Sequence, residues 1–222
     1  MRAVIAGGYA APYNLEHEGR PSATDCRLLG VHPMRCLRFM TLIAALGLAA
    51  CFVQHPQLIG IAEKVEPGQW SGAWVAEPTR DGDEPGFFHV NDVDPAQGIF
   101  TVEDADADGN GMGEKMELQL RRVGEQLFLD VRDKPDGPWM LFIVEEATAD
   151  KIVLAWKPAA APFETAIAKG DFKAKLSKNA DGDVSEIVFD ALTQKEAETL
   201  AKNWRDLFVA ERITLKRFVV AD

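Results

Sequence analysis

Between Gly86 and Trp156 the apolar residues come in short runs, and several of those runs alternate strictly with polar ones. Met116, Leu118 and Leu120 alternate with Glu117, Gln119 and Arg121, and after Val123-Gly124-Glu125 the period resumes in Leu127, Leu129 and Val131. A period of two places successive side chains on opposite faces, so each run predicts a strand with one face buried. The two runs and their glycine-bearing turn predict a hairpin. Gly86-Phe87-Phe88-His89-Val90 and Gly98-Ile99-Phe100-Thr101-Val102 each follow turn-forming residues and predict further strands. Trp139–Val144 is apolar throughout, as a strand covered on both faces would be. Ile152, Leu154 and Trp156 share one face of the next strand, and Phe172, Ala174 and Leu176 line another. Asn179–Asp183 resembles a hairpin turn before Ile187-Val188-Phe189.

One helix is well specified. Thr193 with Glu196 forms a capping box, and Ala197, Leu200, Ala201, Trp204, Leu207 and Phe208 recur at helical spacing. Ile213 and Leu215 then alternate in a short closing strand, with Arg217 at its end. The expected fold is mainly β: an antiparallel curved sheet or small β-barrel, with one helix in the C-terminal region and a short closing strand. Closure into a barrel would remove exposed edges.

Upstream, Arg35 and Arg38 precede an apolar stretch over residues 39–50, which ends in small residues before Cys51. That stretch is shorter than the ~20 residues a bilayer-spanning helix needs. It has the build of an export signal, with a positive region, an apolar core and a small-residue processing site. Leu48-Ala49-Ala50-Cys51 resembles the lipobox of bacterial lipoproteins. The resemblance implies cleavage before Cys51, acylation of that cysteine, and a mature domain held at the cell envelope by its acyl chains. Phe52 occupies the position where an aspartate would resemble an inner-membrane retention signal, which leans toward the outer membrane, facing the periplasm. Residues 1–33 carry no sustained period and are expected to come from a misplaced start, with Met34 as initiator.

The expected organisation is therefore residues 1–33 as an extension, 34–50 as signal peptide, 51–69 as lipidated cysteine and tether, and 70–222 as one β-rich domain. Cys26 and Cys36 precede the cut, so the mature chain has no second cysteine for a disulfide and must be held by packing. The whole chain carries a formal charge of −11. Residues 1–50 hold five basic and three acidic side chains, so the mature part is more negative still. Such a surface repels nucleic acid and anionic headgroups and leaves membrane attachment to the lipid.

Asp106-Ala107-Asp108-Gly109-Asn110-Gly111 followed by Glu117 satisfies the spacing of a calcium loop, with Asp106, Asp108, Asn110 and Glu117 as oxygen ligands. The flanking segments alternate as strands, not as helices, so the plainer reading is an acidic, solvated hairpin connection. Apart from this calcium site no cofactor is expected. Catalysis has little support. His55 falls in the expected tether and His89 in a strand beside apolar residues, while no zinc spacing, serine elbow or phosphate-cradling glycine motif is present. The numerous carboxylates leave a hydrolase open without naming a pair.

Trp74 and Trp156 are candidates to line a ligand pocket, although core packing also accounts for Trp156, and Trp74 is the best candidate for a barrel-end plug. Gly72-Ala73-Trp74, the meandering strands and the late helix followed by a strand resemble small lipocalin-like bacterial lipoproteins. That resemblance implies a carrier of a small apolar ligand. The expected role is binding or structural support at an envelope membrane, with a protein partner or a small apolar ligand, and the rival reading is a calcium-responsive module.

Overall fold

The computed structural model describes residues 52–79, 84–106, 108–179 and 184–218. Residues 1–51, with the signal and Cys51, and most of the 179–183 turn lie outside them.

Among the described residues twelve strands and two α-helices follow one another. They are β1 (Phe52–His55), β2 (Ile61–Ala62), β3 (Gly72–Ala76), β4 (Gly86–Asp94), β5 (Ile99–Ala105), β6 (Gly111–Val123), β7 (Gln126–Arg132), β8 (Trp139–Ala147), β9 (Lys151–Ala155), α1 (Ala160–Lys169), β10 (Ala174–Lys178), β11 (Val184–Phe189), α2 (Gln194–Leu207) and β12 (Arg212–Arg217). Strands β3 to β9 form an antiparallel meander, and β12 pairs with both β9 and β3. The result is a closed eight-stranded antiparallel barrel. The β6–β7 hairpin is the one the alternation predicts, Leu120 opposite Leu129 and Leu118 opposite Val131.

Strand β8 is shared. Its second half pairs with β9 to complete the barrel, and Trp139–Leu141 pair with β1 instead. From β1 the sheet continues through β11, which runs parallel to it, to β10. This side sheet and the two helices cover the outer wall of the barrel. Val53, Phe128, Leu141, Ile143 and Ile187 form a core there with Phe163 of α1 and Leu200 and Trp204 of α2. The unbroken apolar run in β8 follows from this: Leu141 and Ile143 face the helices while Met140, Phe142 and Val144 face the bore.

Two expectations are corrected. Residues 52–69 are not slack: β1 is the central strand joining barrel to side sheet, β2 pairs with β6, and Val65 is buried beneath the bore. The domain thus includes residues 52–69, ahead of Trp70. These strands are too short for a period to show, and only long-range pairing makes them strands. The second correction is α1, which occupies part of the stretch read as a linker over 158–162. Pro162 sits in its first turn, where a missing N–H costs no intrahelical bond, and the alanines favour the helix. The α2 capping box forms as expected, with Thr193 Oγ1 accepting from the Glu196 N–H and Glu196 accepting from the Thr193 N–H.

The lower end of the barrel is sealed. Val65 and Trp70 plug it, and the Val65 N–H donates to the Pro95 carbonyl at 3.0 Å. Arg122 grips Glu63 through two bonds of 2.6 and 2.8 Å, and this ion pair holds the Glu63 carboxyl below its usual range. Gly98, at φ 65°, ends the short 3₁₀ turn here, and a Cβ would come within 2.6 Å of the Glu63 carbonyl.

Candidate functional site

Trp74 stands inside the barrel with no exposed surface. Its Nε1–H donates to the Trp70 carbonyl at 2.8 Å, and the Arg217 guanidinium lies 4.3 Å from its ring centroid. Arg217 also donates to the carbonyls of Gln69, Ser71 and Ala149, so the closing strand locks the opening one. Trp74 is therefore the barrel-end plug that its place in the sequence suggested, and with no exposed surface it does not line the mouth.

Above it the bore is filled by Phe100, Val102, Leu118, Leu120, Leu129 and Leu154, all buried. Towards the opposite end Phe88, Met116, Met140, Phe142 and Ile213 pack on this core as an apolar mouth and remain only partly buried, as do Leu127 and Leu215 elsewhere on it. An eight-stranded barrel has room for filling side chains or for one small ligand. Here the waist is filled and only the mouth remains.

One polar group stands among these apolar side chains. Asp104 pairs with Phe88 across β4 and with Met112 across β6, and Val102, two residues earlier, faces the core. Register therefore places Asp104 on the inner face. Burial alone pushes its carboxyl above the usual range, and among the described residues no cation or hydrogen-bond donor offsets this. The sequence carries the signal: Phe100, Val102 and Asp104 are successive members of one alternating face, so a carboxylate follows two core positions.

Trp156, just past β9, is 8% exposed and contacts Phe52, ring centroids 5.7 Å apart. Its buried Nε1–H has no acceptor. Phe52 also meets Phe142 at 6.1 Å, where β8 parts from β9 to join β1. Buried donors are nearly always paired, so an orphan one is informative.

The candidate calcium ligands are not brought together. Asp106 accepts from the backbone N–H groups of Asn110 and Asp108 and from the Asn110 amide, and these bonds pull its carboxyl below the usual range. Glu117 lies opposite Thr101, about 16 Å along β5 from Asp106 at ~3.3 Å per residue. It is held there by Arg132, which donates twice at 2.6 and 2.8 Å. Asp108 and Asn110 are exposed, and among the described residues no cluster of three or more His, Cys, Asp or Glu has metal-binding geometry. The loop spacing arises from an Asx-type turn, which uses the same residues.

His55, expected in a tether, is buried with Asp130; both are 1% exposed. Its Nδ1 lies 2.7 Å from the Gln57 carbonyl and its Nε2 lies 2.9 Å from Asp130 Oδ1. Both nitrogens are occupied and the pair is sealed from solvent, which makes it a structural bond between β1 and β7. His89 sits on the outer face opposite Ala73 and Glu103. Of the carboxyls shifted from their usual range, Asp104 and Asp106 stand two residues apart at the end of β5 and shift in opposite directions, while Glu63 follows β2 and Glu196 lies in the first turn of α2. A shallow depression on the outer wall includes Glu145, Glu146, Lys151 and Arg212, which pair among themselves.

The fold and site define a class: a closed β-barrel consistent with a general binding or structural role, sealed at one end and lined by half-buried apolar side chains at the other. No known protein family, curated protein or solved structure matches the chain.

Proposed function

We propose that this chain binds a small, largely apolar ligand at the barrel mouth, and does so at a bacterial envelope membrane from lipid carried on Cys51. One observation supports the binding reading above the rest. The base is locked by Trp74 and Arg217 and the waist is filled, yet the mouth keeps half-buried apolar side chains beside a carboxyl without a partner. This is the composition of a ligand site: apolar walls with a few placed polar groups. The sequence resemblance of Gly72-Ala73-Trp74 and the strand order to lipocalin-like lipoproteins points the same way. A ligand resting in the mouth replaces the deep cavity that a lipocalin-like carrier would have.

The neutral dye Nile red tests this. Saturable binding with one site per chain is expected, and Met116→Trp, which adds bulk at the rim, should weaken it several-fold. Uptake that never saturates, or that ignores Met116→Trp, defeats the reading. For the anchor, intact-mass analysis of the native membrane fraction should show a chain starting at Cys51 with added acyl mass. A soluble chain keeping residues 1–50 defeats it. Because β1 starts at Phe52, lipid on Cys51 would hold the barrel close against the bilayer, without intervening slack.

A further inference from the structure

We propose that the mouth selects ligands in which a protonated amine is joined to an apolar chain or ring, with Asp104 receiving the ammonium group. This rests on the mouth being the binding site and names the ligand class. Asp104 is on the inner face, between Phe88 and Met112. The neighbouring carboxylates Glu103 and Glu117 are already neutralised, by Lys115 and Arg132. Asp104 has no such partner among the described residues. Asp104 is half-buried, so its carboxyl is partly stripped of hydration with no countercharge beside it, and burial accordingly pushes it above its usual range.

A ligand ammonium supplies the missing charge, while a carboxylate or phosphate headgroup would meet repulsion from Asp104 and from a chain of net charge −11.

The test is displacement of Nile red from the full chain by dodecylammonium, 1-dodecanol and dodecanoate, each below its micelle or solubility limit. Dodecylammonium should bind about tenfold or more tightly than dodecanol, as a charged hydrogen bond does over a neutral one, and dodecanoate should be weakest. Asp104→Asn should bring dodecylammonium to the level of dodecanol and leave dodecanol unchanged. Asp104→Ser serves as the second variant, with thermal melting confirming that each is folded. Equal binding of ammonium and alcohol by the native chain, or a preference that survives both variants, overturns the selectivity. Failure of Nile red and all three chains to bind overturns the mouth as a site altogether, which is a separate result.

Discussion

The buried bond between His55 and Asp130 lets the integration of β1 be measured. The Gln57 carbonyl can only accept, so Nδ1 carries a proton, and one further proton lies between Nε2 and the Asp130 carboxylate. Asp130→Ala removes that partner where both residues are 1% exposed and water cannot replace it. Breaking a buried pair from one side costs about 3–5 kcal/mol, a large share of the roughly 5–15 kcal/mol that stabilises a typical domain. With a urea slope of about 2 kcal/mol/M, the unfolding midpoint should fall by about 2 M. Asp130→Asn is the discriminating variant. Its amide donates to the unprotonated Nε2, the Nδ1–H bond to Gln57 is kept, and the loss should stay near the ~1 kcal/mol of one hydrogen bond. Urea unfolding followed by tryptophan fluorescence reads both. The double variant His55→Leu with Asp130→Leu should cost clearly less than the two single changes added together. If Asp130→Ala shifts the midpoint no more than Asp130→Asn, or the single losses add, the pair is not holding β1 in place.

Arg217→Met removes the cation over Trp74 and the donors to three carbonyls, and should cost about 2–3 kcal/mol by calorimetry. Arg217→Lys should recover little, since an ammonium cannot reproduce the planar fork. At Glu196 burial acts to raise the carboxyl, but bonds from the Thr193 hydroxyl and backbone and from the Lys173 N–H outweigh it and leave it below its usual range. The stability from this depressed group is therefore present above its unfolded pKa and lost as pH falls through its folded pKa. Glu196→Ala should cost about 1–2 kcal/mol at neutral pH, and the difference from the native chain should shrink toward acid in urea titrations. A chain starting at Phe52 should melt cooperatively by circular dichroism, whereas one starting at Trp70 lacks β1, β2 and Val65 and should not. Cooperative melting of the shorter chain would return residues 52–69 to the status of a tether.

The alternating segments were legible because they are long enough to repeat. Leu118 and Leu120 in β6, and Leu129 and Val131 in β7, reveal both their strand and their inner face from spacing alone. The capping box of α2 was equally plain, since all its partners lie within one turn. What failed to show was short or ambiguous. A four-residue strand such as β1 carries no period, and His55 becomes structural only when Asp130, 75 residues away, is folded against it. Asp106 and Glu117 satisfy a ligand spacing written along the chain, but a register shift in the sheet and the pull of Arg132 part them in space.

The sequence by itself determined the mainly β class, the β6–β7 hairpin, the apolar run of β8 and the capped late helix, all of which rest on contacts between near neighbours. Tertiary structure alone decided that β12 closes the ring onto β3, that β8 divides its pairing between β1 and β9, and that the buried Trp156 N–H is left without an acceptor. Those outcomes depend on which distant strands share hydrogen bonds and how completely side chains fill the space between them. Periodicity along a chain says which residues share a face, but not what the opposite wall will bring to meet them.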